Sequence, residues 1–520
     1  MVRVRRYIPI LPIIVCLLLA AGVLAQPAPL NGFDAYAEKA MQDWEVPGMA
    51  IAVVKDDKIV FARGYGVKKM GESARVDERT VFAIGSSSKA FTAAALAILV
   101  DEGKIKWDDQ VSQYLPEFEL FDPYASRELR IRDLLTHRSG LERGDLLWYG
   151  TSLSREEILR RVRHLRPTWS LRSQFGYQNL IYLAAGEVVH KVSGMSWDEF
   201  TKKRIFDPLG MSSSNTSIKS FRPGDNLSTP HGKLGDKVQP IAWRDIDNIG
   251  PAGSINSNVI DVAQWVRLHL GGGTFEGKKI LSAAVVAEMQ TPQTVIRLEG
   301  TYPIFYPKAN FLSYGLGWFL SDFKGRKLVE HGGAIDGMRA EVAMVPSEKL
   351  GIIILTNMSG SVIAMPLVYR IIDAYIGEPQ TDYSADLLKA YLPLLESAQA
   401  AERRADSERI TGTKPSLGLD EYVGTYRNDL YGDVKIEKEN GQLKINYGPY
   451  IGPLEHWHFD TFRARFVTAY STSGLSNTPT TFNLNAQGKV DNLSLGLAGM
   501  SGYPFKKQTP PSSGEQRPAN

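Results

Sequence analysis

The stretch Val81-Phe-Ala-Ile-Gly-Ser-Ser-Ser-Lys-Ala90 decides how this chain is interpreted. An apolar segment ends at Gly85, and an alanine-rich helix is predicted from Ser86 to about Glu102. Ser86 and Lys89 are three residues apart at the start of this helix, so both side chains project from one face. The free N–H groups and the dipole at a helix N-terminus favour negative charge that develops there. The stretch therefore predicts a reactive serine hydroxyl beside a lysine amine.

A serine hydroxyl is a poor nucleophile until a neighbouring base accepts its proton. A lysine has an ordinary pKa of about 10.4, so Lys89 serves as that base only if burial or a nearby cation lowers its pKa. The pattern Ser-x-x-Lys is expected by chance about once or twice in a chain of this length, and it recurs at Ser321–Lys324 in a predicted hairpin. The structural alternative for Ser86 is a helix cap with a solvated lysine one turn further on.

A second fragment, Tyr177-Gln-Asn179, follows a polar loop and precedes a predicted helix. A tyrosine, with an ordinary pKa of about 10, acts as a base if cations hold it as phenolate. Lys89 and a protonated His331 would be those cations, and Asn179 would donate to a substrate carbonyl. The structural alternative is a buried tyrosine with a satisfied hydroxyl. A second Tyr-x-Asn, at Tyr426–Asn428, lies in the β-rich C-terminal part.

The third fragment, His331-Gly332-Gly333-Ala334, follows the strand-like segment Lys327–Glu330. Glycines let a substrate backbone lie against a strand edge and leave N–H groups free. We expect the N–H group of Ala334 to form an oxyanion hole with that of Ser86. The structural alternative is a tight turn with an exposed histidine.

These three fragments, in this order, resemble those of the serine β-lactamase and penicillin-binding-protein superfamily, in its broad β-lactamase-related (CubicO-type) branch. The resemblance covers about Asn31 to Gly377, and further matching segments are Asp133–Leu141, Gly250–Gly253 and Tyr314–Trp318. It implies that Ser86 is the acylated nucleophile and that Lys89 and Tyr177 share the proton transfer. It also implies substrate-binding roles for Asn179, His331, Gly332, Gly333 and Ala334.

The chain departs from the superfamily at His331, where β-lactamases and DD-peptidases usually carry the lysine of Lys-Thr-Gly. That lysine is a permanent cation that anchors a substrate carboxylate, whereas a histidine with a pKa of about 6.5 is mostly neutral at pH 7. We therefore expect weak or absent β-lactam hydrolysis. Esters, amides or the N-terminal end of D-peptides are the expected substrates.

The composition is that of a soluble globular protein with two or three domains. The chain has 520 residues, of which 43% are hydrophobic and 22% charged. A net charge of +3, without a basic patch interleaved with aromatic residues, argues against a nucleic-acid partner. The single cysteine, Cys16, excludes disulfides and cysteine metal sites from the mature chain. His456 with His458, and Asp245 with Asp247, lack further ligands, so we expect no metal and no cofactor.

The N-terminus has the pattern of a secretory signal peptide. Arg3, Arg5 and Arg6 precede an apolar run from about Ile8 to Leu24, and Ala25 offers a small residue for cleavage. We expect residues 1–25 to be removed and the protein to be secreted or periplasmic. The alternative is an uncleaved anchor, which is the one way in which a membrane would become a partner.

The pattern along the chain predicts an α+β fold. Helices are expected at Phe33–Asp43, Ile131–Phe206 with breaks, Val259–Leu270 and Val362–Tyr375, and strands at Met49–Val54, Ile59–Tyr65, Tyr314–Leu320, Gly337–Val345 and Gly351–Thr356. This order indicates an antiparallel sheet built from both ends of the domain and flanked by helices, with an all-α region inserted between them, as in β-lactamases.

The C-terminal part alternates polar and apolar residues in short runs, with turn signals at Asn440-Gly441 and Gln487-Gly488. We expect a hydrolase domain over residues 31–377, a linker over 378–417, an all-β barrel-like domain over 418–506 and a disordered tail over 507–520. The segment Glu421-Tyr-Val-Gly-Thr-Tyr426 resembles the lipocalin-like domain attached to some D-amino-acid-directed peptidases of this group.

The leading hypothesis is a secreted serine hydrolase that acts on an ester, an amide or a D-amino-acid-containing peptide through an acyl-enzyme. One alternative is a penicillin-binding-type DD-peptidase, transpeptidase or β-lactamase. Another is a cell-wall or penicillin-binding protein that is acylated and does not turn over. The expected partner is a small molecule or peptide substrate, and the sequence leaves the oligomeric state open.

Overall fold

The computed structural model describes residues 28–235, 237–466, 477–497, 499–500 and 502–509. The predicted signal peptide, residues 1–25, and most of the predicted tail, residues 507–520, lie outside them. Within the described residues, no helix is both long enough and apolar enough to span a bilayer.

In the described part of the N-terminal domain, an eight-stranded antiparallel sheet forms the framework. Its strands are β1 Gly48–Lys55, β2 Lys58–Gly66, β3 Thr294–Ile296, β4 Leu312–Tyr314, β5 Phe319–Phe323, β6 Arg326–Ile335, β7 Met338–Val345 and β8 Leu350–Thr356. Their order across the sheet is β2-β1-β8-β7-β6-β5-β4-β3. Strands from both ends of the domain therefore pair in the middle of the sheet, which confirms the predicted architecture.

Helices cover both faces of this sheet. They are α1 Phe33–Asp43, α2 Ser88–Asp101, α3 Pro123–Glu128, α4 Arg155–Arg161, α5 Asn179–Ser193, α6 Trp197–Thr201, α7 Asp207–Leu209, α8 Gly250–Gly253, α9 Val259–Leu270, α10 Ala283–Met289, α11 Tyr302–Phe305, α12 Ala364–Ile376 and α13 Tyr383–Ser407. Short strand pairs join Phe82–Ala83 to Asn256–Ser257, His231–Leu234 to Lys237–Pro240, and Thr274–Phe275 to Lys278–Lys279.

Strand β1 shows why the sheet is covered on both sides. Its side chains alternate between the faces, and both sets are apolar and buried. Ala50, Ala52 and Val54 pack into the core that contains α2, α5 and α9. Met49, Ile51 and Val53 pack into the core that contains α1 and α12. The inserted helical region between β2 and β3 occupies the first of these two faces.

The prediction of a single strand over Tyr314–Leu320 is wrong. Strand β4 ends at Tyr314 and β5 begins at Phe319, with Gly317 in the turn between them at a φ of 81°. A Cβ at Gly317 would lie 3.0 Å from the carbonyl oxygen of Lys89. The glycine therefore allows the turn to pack directly against the start of α2.

Strand β6 is longer than predicted and includes the His331-Gly332-Gly333-Ala334 fragment. On one side β6 pairs with β7 as far as Ile335. On the other side its pairing with β5 ends at Glu330. Residues 331–335 therefore present a strand edge that β5 does not cover, which is the geometry expected for a backbone-binding edge.

In the C-terminal domain, the described residues form a closed barrel of eight antiparallel strands. The strands are β9 Gly424–Asn428, β10 Gly432–Glu439, β11 Gln442–Tyr447, β12 Tyr450–His458, β13 Thr461–Ala464, β14 Thr478–Leu484, β15 Val490–Leu495 and β16 Phe505–Lys507. The predicted turns Asn440-Gly441 and Gln487-Gly488 connect strands of this barrel. Helix α13 lies within the segment that the sequence assigned to a linker.

The barrel packs against two segments of the N-terminal domain, the loop between α3 and α4 and the segment that follows α4. The hydroxyl of Tyr503 accepts a hydrogen bond from the backbone N–H of Arg166 at 2.9 Å and donates one to Glu142 at 3.1 Å. The hydroxyl of Tyr450 donates to the carbonyl oxygen of Tyr149 at 3.5 Å. The C-terminal domain therefore supports a loop that, as shown below, forms one wall of the site.

Candidate active site

Ser86 lies where the start of α2 meets the free edge of β6. A 3-10 turn, Gly85–Ser87, precedes the helix. A Cβ at Gly85 would lie 2.5 Å from the backbone nitrogen of Ala334, and a Cβ at Gly333 would lie 1.8 Å from the carbonyl oxygen of Ile84. The two glycines therefore permit a contact that no larger residue allows. It brings the N–H groups of Ser86 and Ala334 to the same region, as predicted for an oxyanion hole.

Lys89 is fully buried and points at the serine. Its Nζ lies 3.1 Å from Ser86 Oγ, 2.8 Å from Asn179 Oδ1 and 2.7 Å from the carbonyl oxygen of Ala252. Burial holds the pKa of Lys89 well below its usual range, although the charge of Asp145 opposes this shift. A neutral amine has two N–H donors, which the two carbonyl oxygens take. Its lone pair is then left for the proton of the Ser86 hydroxyl.

Tyr177 completes this group and lines the same cleft as Ser86. Lys89 Nζ is 4.8 Å from the centre of the Tyr177 ring, and the His137 ring packs on it at 4.1 Å. Burial raises the pKa of Tyr177 above its ordinary value. The prediction of a resting phenolate held by Lys89 and a protonated His331 is therefore not supported. Tyr177 is a neutral phenol that can pass a proton on.

His331 is buried, which excludes the exposed histidine of the structural alternative. Its Nδ1 is 2.6 Å from the carbonyl oxygen of Gly332 and its Nε2 is 2.9 Å from the hydroxyl of Tyr314. Because a carbonyl only accepts, Nδ1 carries the hydrogen and Tyr314 donates to Nε2. Burial, with the nearby charge of Lys89, lowers the pKa of His331 to about 3. His331 is therefore neutral at pH 7.

Asn179 is the first residue of α5, and both the oxygen and the nitrogen of its side-chain amide form hydrogen bonds. Its Oδ1 accepts the hydrogen bond from Lys89, and its Nδ2 donates to Asp145 at 2.9 Å. One Nδ2 hydrogen remains for a ligand, which agrees with the predicted contact to a substrate carbonyl. Asp145 also accepts hydrogen bonds from Trp148 at 2.9 Å and from Arg143 at 2.8 Å.

Sequence reasoning did not single out Asp145, Arg143 or the role of His137. His137 adopts a φ of 52°, and its Nδ1 accepts a hydrogen bond from the backbone N–H of Gln178 at 3.0 Å. This bond and the ring contact position Tyr177. His137 belongs to the Asp133–Leu141 segment and was open to recognition, whereas Asp145 lies in an irregular loop without any motif.

The second copies of the two short motifs, Ser321–Lys324 and Tyr426–Asn428, lie away from the site, and we call them decoys. Lys324 forms an ion pair with Asp373 at 2.7 Å, and Ser321 is buried within β5. Tyr426 is buried in the barrel, where its hydroxyl donates to the carbonyl oxygen of Tyr422 at 2.7 Å. The hairpin predicted at the first decoy is present, because Lys324 follows the last residue of β5.

A cleft of about 900 Å³ opens over Ser86 and is bounded by the edge of β6, by the loop carrying Arg143 and Asp145, and by α11. A volume of this size suits a small molecule or a short peptide. No cluster of three or more His, Cys, Asp or Glu residues suited to a metal ion occurs in the described part of the chain.

Comparison with known proteins agrees with this geometry. Residues 33–374 match a family model described as Beta-lactamase, and residues 408–506 match a domain of unknown function (DUF3471). The unguisins hydrolase ungD of Aspergillus violaceofuscus is 29% identical over 454 residues, which are 80% of this chain and 78% of that protein. Penicillin-binding protein 4 of Amycolatopsis lactamdurans is 30% identical over 318 residues, which are 60% of this chain and 81% of that protein.

A solved structure gives the same fold. The octameric penicillin-binding protein homologue from Pyrococcus abyssi superimposes with a TM-score of 0.60 at 22% identity, over 92% of this chain and all of that one. The Beta-lactamase match spans well over half of the chain and contains all three fragments of the site. The chain therefore belongs to the beta-lactamase family, and it is a serine hydrolase of that family with a β-barrel domain at its C-terminal end.

Proposed function

We propose that the protein hydrolyses esters or amides, including peptides with D-amino acids, through an acyl-enzyme on Ser86, and that it acts outside the cytoplasm. The observation that carries the proposal is the hydrogen bonding of Lys89. Its Nζ lies 3.1 Å from Ser86 Oγ and within 2.8 Å of two carbonyl oxygens, so in the neutral form both N–H donors go to those oxygens and the lone pair faces Ser86 Oγ.

The acylation step follows from these contacts. Lys89 accepts the hydroxyl proton while Ser86 Oγ attacks the substrate carbonyl carbon. The N–H groups of Ser86 and Ala334 stabilise the negative charge on the carbonyl oxygen. Tyr177 donates its hydroxyl proton to the leaving alcohol or amine and regains one from Lys89. Water then attacks the acyl-enzyme by the same route in reverse.

Neutral His331 supports the choice of substrate. His331 offers no charge to a carboxylate placed beside the scissile bond, and the lowered pKa of Lys89 favours its uncharged amine. One relative is named an unguisins hydrolase, which supports hydrolysis as the reaction. Another is named a penicillin-binding protein, which leaves open the alternative of a penicillin-binding type of activity. A DD-peptidase, transpeptidase or acylated binding protein would use the same first step.

The test is labelling by a fluorophosphonate and hydrolysis of a p-nitrophenyl ester. We expect Ser86→Ala to abolish both, because it removes the attacking oxygen. Ser321→Ala is the matched control, since Ser321 belongs to the decoy Ser-x-x-Lys, and it should retain both. Full labelling of Ser86→Ala would eliminate the serine mechanism. A chromogenic cephalosporin that acylates the protein without turnover would favour the penicillin-binding alternative.

A further inference from the structure

The cleft extends past the edge of β6 to the opposite face of the sheet. Gly333 faces the start of α2, so the alternation of a strand places Gly332 and its β7 partner Glu341 on the other face. Arg339, which pairs with Ala334, lies on that same face of β7. We call this part of the cleft the rear compartment; it is lined by Tyr302, Phe305, Tyr306, Arg339, Glu341 and Met365.

Arg339 differs from the other charged residues that line the cleft. Arg143 pairs with Asp145, Asp336 pairs with Arg244, and Glu330 accepts a hydrogen bond from Tyr306 at 2.6 Å. The Arg339 guanidinium makes no hydrogen bond or ion pair with any residue between 28 and 509 that the structure describes, although it is partly buried. An arginine keeps its charge and offers five N–H donors in a planar fork.

The nearest carboxyl group does not neutralise this charge. Burial, reinforced by the adjacent Glu330, raises the pKa of Glu341 well above its usual range, which favours the neutral form of this carboxyl group. Burial also raises the pKa of Glu330, whose carboxyl group accepts a hydrogen bond from the hydroxyl of Tyr306 at 2.6 Å. The donors of Arg339 therefore remain available to an acceptor that enters from the cleft.

We propose that Arg339 binds a carboxylate of the substrate in the rear compartment, apart from the scissile carbonyl at Ser86. The inference rests on the proposed acyl-enzyme function and names the substrate class: elongated acyl compounds with a distal carboxylate. Planar carboxylates match the guanidinium fork in two parallel hydrogen bonds. Tyr302, Phe305 and Met365 provide an apolar surface for the chain that connects the two ends.

The position of Arg339 differs from that of the lysine of Lys-Thr-Gly, which in the family usually binds a substrate carboxylate beside the nucleophile. His331 lies on the face of β6 that packs toward α2, whereas Arg339 lies behind the strand. A carboxylate next to the scissile bond therefore gains nothing from Arg339. A carboxylate further along the acyl chain reaches it around the edge formed by residues 331–335.

The test uses mono-p-nitrophenyl esters of linear dicarboxylic acids, from succinate to sebacate, beside their methyl-capped counterparts. We expect the ratio of kcat/KM for the anionic and the capped ester to peak at one chain length, at about tenfold or more. Arg339→Met should bring that ratio to about one, and Arg339→Lys should restore part of it. Arg297→Met removes an exposed arginine elsewhere on the domain and should leave the ratio unchanged.

A ratio that Arg339→Met does not change, or that shows no preference at any chain length in the unmodified protein, overturns the inference. Binding of the free dicarboxylate to Ser86→Ala, measured by calorimetry, separates the subsite from the reaction. If no ester is hydrolysed but binding weakens about tenfold in Ser86→Ala combined with Arg339→Met, the subsite stands and the proposed function fails. If capped esters are hydrolysed without any anion preference, the function stands and the subsite fails.

Discussion

Replacing Asp145 with asparagine should move the acid limb of the pH–rate profile to lower pH. The Asp145 carboxylate raises the pKa of Lys89 and partly offsets the effect of burial. Asparagine has nearly the same shape, and its carbonyl oxygen still accepts hydrogen bonds from Asn179 and Trp148. The substitution therefore removes the charge and keeps the geometry.

The magnitude follows from the contacts. One amide side chain and two hydrogen bonds of 2.8 and 2.9 Å join Lys89 Nζ to the Asp145 carboxylate, so the two groups are at most about 8 Å apart. At an effective dielectric constant of about 20 this charge pair is worth about 2 kcal/mol, or about 1.5 pKa units. Arg143 shares the carboxylate and reduces the effect, so we expect a shift of about one pH unit.

The direction of the shift follows from the reactive form of Lys89, which is the free amine. Removing a negative charge destabilises the ammonium form of Lys89, lowers its pKa and lets the reactive free amine persist at lower pH. The assay is kcat/KM for a p-nitrophenyl ester between about pH 4 and 9. Asp108→Asn, which removes an exposed carboxylate paired with Arg132, is the control and should leave the limb in place. An acid limb that stays fixed or moves to higher pH would refute Lys89 as the titrating base.

Two further predictions test the contacts and the burial described above. Gly333→Ala should abolish fluorophosphonate labelling, because its Cβ would lie 1.8 Å from the carbonyl oxygen of Ile84 and would push β6 away from Ser86. Gly418→Ala is the control and should label normally, because a Cβ at this position meets nothing within 4 Å. His269 is buried without a partner for either ring nitrogen within the described residues, and burial lowers its pKa to about 3. Its folded pKa is below the unfolded value of about 6.5, so its stabilising contribution is lost as pH falls through that interval. The urea midpoint of His269→Leu should therefore fall less between pH 7 and pH 4.5 than that of the unmodified protein, and an equal fall in both would contradict this.

The fold was largely predictable because its local signals are strong. Helices Phe33–Asp43 and Val259–Leu270 have the bounds that their apolar periodicity indicated, and the sheet has strands from both ends of the domain. The single strand over Tyr314–Leu320 was wrong for a tertiary reason. The turn at Gly317 exists because the chain packs against α2, and no local pattern reports that contact.

The positions of Ser86, Lys89 and Tyr177 were predictable from motifs, whereas their protonation states were not. Whether Tyr177 is a phenol or a phenolate depends on burial by residues far away in the chain. The neutral state of His331 likewise depends on its burial by distant parts of the chain. Asp145 could not be predicted because a single acidic residue in an irregular loop belongs to no sequence motif. Its effect on the pKa of Lys89 depends on a proximity that only the folded chain creates.

The docking of the barrel onto Glu142 connects the reactive centre of the N-terminal domain to the C-terminal domain. Tyr503 follows Glu142 by 361 residues, and their hydrogen bond supports the loop that leads to Asp145. A variant without the barrel would keep Ser86 and Lys89 but would lack the contact that supports the loop leading to Asp145, so full reactivity should require both domains.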